Sequence, residues 1–227
     1  YKVTGNYFCG NFSSGNGGGL AHVGLSNNAE ISGNTFLFNE SFNQGTTVAG
    51  GGLFIGGGMP LGTSAISPGA GSVVVNGTLV QGNMAAAGDG GGIRLERVNG
   101  EDVARGGNGI GRWYRVDLFN NVVVNNLSGL AGAGLSMFEA TRVRIINNTF
   151  AHNDSLGVAG EAFTPGNPSV SSQQPAGIVS HAHGAALAAL VASAPPQSAE
   201  PFSSPVEFAN NIVWRNRSFF YGPLSDP

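Results

Sequence analysis

The chain has little charge and almost no cysteine. Charged residues make up 10% of its 227 residues, and Cys9 is the one cysteine. A single cysteine excludes an intrachain disulfide, and a reactive thiol would need a neighbouring base that the sequence does not show. The ten basic residues are scattered and the net charge is −3, so the chain lacks the basic surface that binds nucleic acid. We therefore expect no nucleic-acid partner.

Long apolar runs are missing as well. No run reaches the length of a transmembrane helix, and the first residues lack the charged-then-apolar pattern of a signal peptide. Glycine occupies 38 positions, and the excess of glycine and asparagine argues against helical domains because neither favours a helix. Hydrophobic residues nevertheless reach 41%, which is more than a disordered chain carries. The composition predicts an ordered protein that is not mainly helical.

Six segments of the chain align on one anchor position, which holds Asn6, Asn34, Thr78, Asn121, Asn148 and Asn211. Three residues before the anchor stands an apolar residue in every segment: Val3, Ile31, Val75, Leu118, Ile145 and Phe208. Two residues after it the segments are apolar again: Phe8, Phe36, Val80, Val123, Phe150 and Val213. Five residues after it stands an asparagine without exception: Asn11, Asn39, Asn83, Asn126, Asn153 and Asn216. Columns that agree this closely indicate an internal repeat.

A second motif follows in five of the segments. A Gly-Gly or Ala-Gly pair precedes an apolar residue, which is Leu20, Leu53, Ile93, Leu135 or Ile178. Apolar residues then alternate with period two, which is typical of a half-buried strand. The anchors lie 28, 44, 43, 27 and 63 residues apart, so a helical solenoid of fixed repeat length is excluded. A β-coil of about 22–28 residues, with loops inserted at its corners, accounts for the uneven spacing.

Stacking of the coils gives each column a physical role. One coil cannot bury its apolar face alone, but coils stacked about 4.8 Å apart form a continuous core. The asparagines five residues after the anchor are predicted to form a ladder, in which each side-chain amide bonds the coils above and below. We expect glycine before the anchor and in the Gly-Gly pair to supply the positive φ that the corners need.

The sequences Phe8–Asn11, Phe36–Asn39 and Phe150–Asn153 share a Phe-x-x-Asn pattern that alternates with Gly-Gly-Leu or Gly-Gly-Ile. This pattern resembles the repeats of the polymorphic outer-membrane proteins and, more broadly, the pectin-lyase-like superfamily. The resemblance implies an all-β fold, a right-handed parallel β-helix of about six coils, and export to the bacterial cell surface or the extracellular space. It does not select a function, because the superfamily contains lyases, hydrolases, epimerases and adhesins. We expect residues 1–227 to be a single β-helix segment of a larger chain.

Insertions interrupt the coils near 56–73, 99–115, 154–175 and 181–206. Three of them follow the Gly-Gly strand and should emerge along one edge of the stack, where loops either bind a ligand or only cover the flank. The densest charge lies in and before the second insertion, next to two aromatic residues that would stack on a sugar. The candidate ligand-binding residues are therefore Arg94, Glu96, Arg105, Arg112, Trp113 and Tyr114.

Other charged and histidine positions favour structural roles. The outward residues that precede the first apolar column are Lys2, Glu30, Val74, Asp117, Arg144 and Glu207. Opposite charges at one-coil spacing predict an ion ladder on the surface, which contributes little energy per pair. His181 and His183 would project on one face, but no acidic residue accompanies them. We expect ordinary loop histidines, no metal and no cofactor.

The sequence favours a non-catalytic function. An enzyme of this fold needs two or three acidic residues that converge on one exposed groove, and no convincing set is present. We expect an extracellular or cell-surface scaffold, structural or adhesin-like, that binds polysaccharide or other surface proteins and contacts flanking coils or domains of its parent chain. The alternatives are a polysaccharide-active lyase or glycoside hydrolase, and a spacer domain of a larger envelope enzyme.

Overall fold

A computed structural model describes residues 1–105, 109–194, 203 and 205–222. The chain forms six stacked coils, whose strands make four parallel sheets, named A to D in the order in which each coil enters them. Sheet A contains Lys2–Thr4, Ala29–Ser32, Val73–Asn76, Val116–Phe119, Val143–Ile146 and Pro205–Ala209. Sheet B contains Tyr7–Cys9, Thr35–Leu37, Leu79–Gln81, Val122–Val124, Thr149–Ala151 and Ile212–Trp214. Sheet C contains Phe12–Ser13, Glu40–Ser41, Met84–Ala85, Leu127–Ser128, Asp154–Ser155 and Arg217–Ser218, and sheet D contains Leu20–Val23, Leu53–Gly56, Ile93–Glu96, Leu135–Phe138 and Ile178–Ser180. The predicted all-β parallel β-helix is confirmed.

The register between coils is the one that the anchor alignment predicts. In sheet A, Val3 pairs with Ile31, and in sheet B, Phe8 pairs with Phe36. The same correspondence continues through the later coils. One irregularity, beside Val143, lets the last strand of sheet A keep the alignment. The repeat found in the sequence is therefore the hydrogen-bonding register of the protein.

The two apolar columns fill the interior of the stack. In the four inner coils every member is fully buried: Ile31, Val75, Leu118, Ile145, Phe36, Val80, Val123 and Phe150. Sheet D contributes further buried residues, among them Leu53, Ile93 and Leu135. In the last coil Phe208 and Val213 are 49% and 52% exposed, because no described coil lies beyond them. The predicted core is confirmed for the inner coils.

Two asparagine ladders line the A–B and B–C corners. In the B–C ladder, the backbone N–H and Nδ2 of Asn83 both donate to Oδ1 of Asn126, at 2.9 and 3.0 Å. Asn126 in turn donates from Nδ2 to Oδ1 of Asn153 and to the carbonyl oxygen of Val80, at 2.9 and 3.0 Å. The inner ladder residues are at most 1% exposed. The buried corner backbone is thus satisfied from within the protein, and the predicted ladder is confirmed.

A positive φ precedes every ladder residue, at Gly5, Gly33, Gly77, Asn120, Asn147 and Asn210 in one ladder and at Gly10, Phe38, Gly82, Asn125, His152 and Arg215 in the other. Glycine before the anchor therefore has the predicted role. The prediction for the Gly-Gly pair is wrong, because the positive φ lies one residue earlier, as at Gly90. Gly91 is needed for space: a Cβ there would collide with the carbonyl group of Leu127 in the next coil.

The connections between sheets differ sharply in length. Each A–B and B–C corner consists of two residues, such as Gly5-Asn6 and Gly10-Asn11, in all six coils. The long connections are 57–72, 97–115 and 181–204 between sheets D and A, and 156–177 between C and D. They contain helices α1 (Glu101–Arg105) and α2 (Ala185–Ser193), the 3-10 turns Ile110–Arg112 and Gly160–Ala162, and an antiparallel pair of strands, Phe163–Thr164 and Asn167–Ser171. Residues 106–108, 195–202 and 204, which the predicted insertions include, lie outside the described residues. Sheet B is therefore bordered on both sides by tight corners.

Candidate functional site

A group of polar side chains lies on the outer face of sheet D, and we call Asp89, Arg94, Glu96, Ser136 and His181 the sheet D cluster. Arg94 alternates with inward-facing apolar neighbours and so points outward, yet it is only 9% exposed. Its Nη1 donates to Oδ2 of Asp89 at 2.9 Å and to Oγ of Ser136 at 2.6 Å. Its Nε donates to Oε2 of Glu96 at 3.2 Å. Two of the predicted ligand-binding residues, Arg94 and Glu96, are thus tied to protein groups.

Asp89 joins three coils within this cluster. Its Oδ1 accepts the N–H of Ala131 at 2.8 Å, and its Oδ2 accepts the hydroxyl of Ser136 at 3.2 Å. Nε2 of His181, in the fifth coil, lies 2.8 Å from Oδ2. This contact is an ion pair when the imidazole of His181 is protonated. Since Ser136 donates to the carboxylate and not to the histidine, the three residues do not have the arrangement of a nucleophile, base and acid relay.

The surroundings of Asp89 also set its ionisation. Burial alone would raise the pKa of Asp89, but the contact with His181, the charge of Arg94 and the N–H of Ala131 outweigh burial and hold that pKa below its ordinary value. A carboxyl group whose pKa is lower in the folded state stabilises the fold above its unfolded pKa of about 3.9. That stability is lost as the pH falls through the lower, folded-state pKa.

Replacing Asp89 with asparagine is expected to lower the free energy of unfolding at pH 7 by about 1–3 kcal/mol, because Arg94 loses a charged partner in a largely buried position. Urea unfolding at pH 7 and at pH 3 measures this cost, which should shrink at the lower pH. Glu101→Gln is the matched control, since Glu101 forms an ion pair with Arg105 on the exposed surface of α1 and should cost about 0.5 kcal/mol or less. An equal loss of stability in both variants at both pH values would contradict a stabilising contact between Asp89 and Arg94.

The remaining predicted ligand-binding residues lie in the 97–115 connection, where packing separates them. Trp113 is 2% exposed and packs with Val103 of α1 and with Leu187 and Val191 of α2. Its ring therefore has no exposed face on which a sugar could stack. Tyr114 is half-buried against the main core. Ligand binding by these residues stays a prediction, but Trp113 has a packing role here.

Arg105 and Arg112 remain at the surface of the same connection. Arg105 pairs with Glu101 one helical turn earlier, and Arg112 is exposed at the end of a 3-10 turn. Below them Asp102 accepts the side-chain amide of Asn99 and the N–H groups of Gly100 and Tyr114, each at 2.7 Å. These bonds hold the two ends of the 97–115 connection together. Burial raises the pKa of the Asp102 carboxyl group.

The outer face of sheet A carries the predicted ion ladder. Lys2 Nζ lies 2.8 Å from Glu30 Oε2 in the next coil. Asp117, 2% exposed, is held by Arg144 of the following coil at 2.8 Å and by Arg115 at 2.9 Å. A cavity of about 310 Å³ lies between the two pairs, over Val74. The predicted pairing is confirmed for Lys2 with Glu30 and for Asp117 with Arg144, although Asp117 is buried and not at the surface.

The outer face of sheet B differs from the others in having no charge. Its outward residues are Tyr7, Thr35, Leu79, Val122, Thr149 and Ile212 in one column and Cys9, Leu37, Gln81, Val124, Ala151 and Trp214 in the other. We call these twelve positions the sheet B face. Tyr7, Val122, Ile212 and Trp214 are between 40% and 65% exposed. Sequence reasoning missed this face, although the signal was available one and three residues after each anchor.

His22 and His183 make structural contacts. His22 accepts or donates hydrogen bonds with Tyr1, Gly24 and Ala70, and His183 lies 3.4 Å from the hydroxyl of Ser203. Over the described part of the chain, no group of three or more His, Cys, Asp or Glu side chains is placed to hold a metal ion. Within the same residues, no helix has the length and apolar character required to cross a membrane.

Comparison of the chain with protein-family models, with curated proteins and with solved structures finds no match.

Proposed function

We propose that this chain is a non-catalytic β-helix scaffold of the cell surface or extracellular space, which binds a polymer along the outside of its stacked coils. The proposal follows from the fold and from the resemblance of its repeats to those of exported surface proteins. A stack of coils offers the same side-chain pattern at regular steps, which suits a partner that itself repeats. Flanking coils or domains of the parent chain would position this surface.

One observation carries the non-catalytic part of the proposal. The buried aspartates are engaged by protein groups: Asp89 by Arg94 and His181, Asp117 by Arg115 and Arg144, Asp154 by Arg217, and Asp102 by three N–H donors. A carboxylate whose oxygens accept bonds from charged or N–H donors in this way is poorly suited to exchange protons with a sugar, which acid and base catalysis requires. These aspartates therefore act as ties between coils and loops.

The chain is expected to bind polysaccharide without cleaving it. The test incubates the whole chain with a panel of acidic and neutral polysaccharides, with and without calcium, and measures bound protein together with released unsaturated and reducing ends. Binding with no released ends is the expected result. Calcium-dependent product would overturn the scaffold proposal. A failure to bind any polysaccharide would contradict its polymer-binding part. Trp113→Ala is unsuitable as the binding variant, because loss of this buried ring would destabilise the 97–115 connection.

A specific observation favours the alternative, a polysaccharide-active enzyme. Glu139, next to the sheet D cluster, is half-buried, and burial raises its pKa even though Arg97 lies nearby. A carboxyl group with a raised pKa keeps its proton to a higher pH than an ordinary glutamate does, which is the property that a general acid needs. The alternative predicts that the unsubstituted chain forms product and that Glu139→Gln forms none while its folding is unchanged. Absence of product from the unsubstituted chain would contradict the alternative.

A further inference from the structure

The sheet B face is left uncovered by the architecture of the coil. Both of its borders are two-residue corners in all six coils, and every corner except Gly77-Thr78 contains a ladder asparagine, whereas the long connections leave from the C–D and D–A corners. An insertion at a ladder corner would interrupt the hydrogen bonds that run from coil to coil, so loops are excluded from these borders. Over the described residues the outward side chains of sheet B thus form a strip from the first coil to the last, partly or fully exposed at every position except Ala151.

The chemistry of this strip selects against charged partners. None of its twelve outward residues is charged, whereas the outer faces of sheets A, C and D carry Lys2, Glu30, Glu40, Arg94, Glu96, Asp117, Arg144, Asp154, Glu207 and Arg217. The nearest cation is Arg215 at the B–C border, and its guanidinium lies over the ring of Trp214, 4.6 Å from the centroid. Nucleic acid, an anionic membrane or an acidic polysaccharide would therefore meet one cation, at the last coil, and no row of counter-charges along the strip.

The strip combines apolar surface with uncharged hydrogen-bonding groups. Val122 and Trp214 expose apolar and aromatic surface, while Thr35 and Thr149 supply hydroxyl groups. Along the A–B border, the exposed side chain of Asn120 donates to Oδ1 of Asn76 at 2.8 Å, which makes an amide edge. Pyranose sugars have the matching chemistry, because their C–H faces are apolar and their edges carry hydroxyl groups.

The dimensions of the strip decide between a polymer chain and a second protein. Six strands at about 4.8 Å spacing give a length of about 24 Å, and three residues per strand give a width of about 10 Å. The resulting area of about 240 Å² is far below the roughly 800 Å² per partner that a stable protein interface buries. A strip of this width matches one polysaccharide chain. Its repeat is also close to the rise per unit of an extended β-1,4-linked chain.

We infer that the sheet B face binds a single extended chain of a neutral β-linked polysaccharide, which lies along the stack and contacts one sugar unit per coil. The inference rests on the proposed polymer-binding function and adds the surface and the chemical class of the ligand. Apolar positions such as Val122 contact the sugar faces, and Thr149 and the border amides bond the hydroxyl groups.

The test uses the whole chain and measures its binding to microcrystalline cellulose, chitin, polygalacturonate and phosphatidylcholine vesicles by co-sedimentation. Val122→Lys places a charge at the centre of the strip on a side chain that is 40% exposed, and Thr149→Lys does so one coil later. Met84→Lys is the matched control, since it adds the same charge to the outer face of sheet C, beside Glu40. Circular dichroism and urea unfolding verify that all three variants are folded.

The expected result is binding to cellulose or chitin, at least tenfold weaker in both sheet B variants and unchanged in Met84→Lys. Binding that survives both sheet B substitutions would overturn this assignment and leave the proposed polymer-binding function standing. Binding to polygalacturonate alone would likewise keep the function and overturn the ligand class. Failure to bind any polysaccharide would overturn both, as would binding to vesicles alone. Self-association that Val122→Lys abolishes would identify the strip as a contact between copies.

Discussion

Replacing Phe36 with alanine is expected to lower the free energy of unfolding by about 3–5 kcal/mol. Phe36 is fully buried in the second coil, and its ring stacks on Phe8 with centroids 4.6 Å apart and planes 4° apart. The substitution leaves a cavity between coils whose spacing is fixed by the hydrogen bonds of four sheets, so the surrounding structure cannot collapse into it. Urea unfolding followed by circular dichroism measures the loss.

Phe38→Ala is the matched control for this experiment. Phe38→Ala removes the same atoms at a position two residues after Phe36. Phe38 lies at the B–C border and is 62% exposed. Its replacement is expected to change stability by about 0.5 kcal/mol or less, as for other exposed positions. Equal losses at Phe36 and Phe38 would show that the two side chains do not point to opposite sides of the coil wall.

Replacing Asn126 with alanine is expected to cost about 3 kcal/mol or more. Its Oδ1 accepts two hydrogen bonds from Asn83, and its Nδ2 donates to Val80 and Asn153. The substitution removes all four bonds. The buried N–H of Asn83 loses its acceptor, whereas Asn83 Nδ2 and Asn153 Oδ1 each keep one other partner, and a buried polar group that loses its partner costs about 1–3 kcal/mol. Urea unfolding again gives the measurement.

The same ladder supplies the control for Asn126. Asn11, in the first coil, is exposed and donates to Oδ1 of Asn39 through its backbone N–H and Nδ2. Asn11→Ala removes one of these bonds at a position that water reaches, so the expected cost is about 1 kcal/mol or less. A neutral Asn126→Ala would mean that the B–C corner is hydrated rather than closed by its ladder.

The stack could be predicted from the sequence because its stabilising contacts repeat there. Each coil presents the same inward residues and corner asparagines to the next, so alignment of segments is equivalent to alignment in space. The uneven distance between anchors carried further information, since it separated the coil from its insertions. The Gly-Gly pair was misjudged because glycine serves two needs, positive φ and close backbone approach, and at Gly91 only the second applies.

The candidate sites depended on contacts that the repeat does not encode. Trp113 follows charged residues in a long connection, which suggests exposure, but α1 and α2 from different insertions enclose it. Asp89 and His181 meet only because their coils lie two apart in the stack, and no local pattern joins them. The uncharged outward columns of sheet B were readable, yet their meaning depended on knowing that loops leave only from the other corners.

Hydrogen exchange at the asparagine side chains tests the stacked coils most directly. With ¹⁵N-labelled asparagine, NMR follows the Nδ2 protons of the buried ladder residues Asn39, Asn83, Asn126 and Asn153 beside those of the exposed Asn27. The stacked coils predict that the ladder amides exchange only through opening of the coils, many times more slowly than Asn27. Exchange of all these amides at the rate of Asn27 would contradict the ladder and, with it, the uncovered face of sheet B.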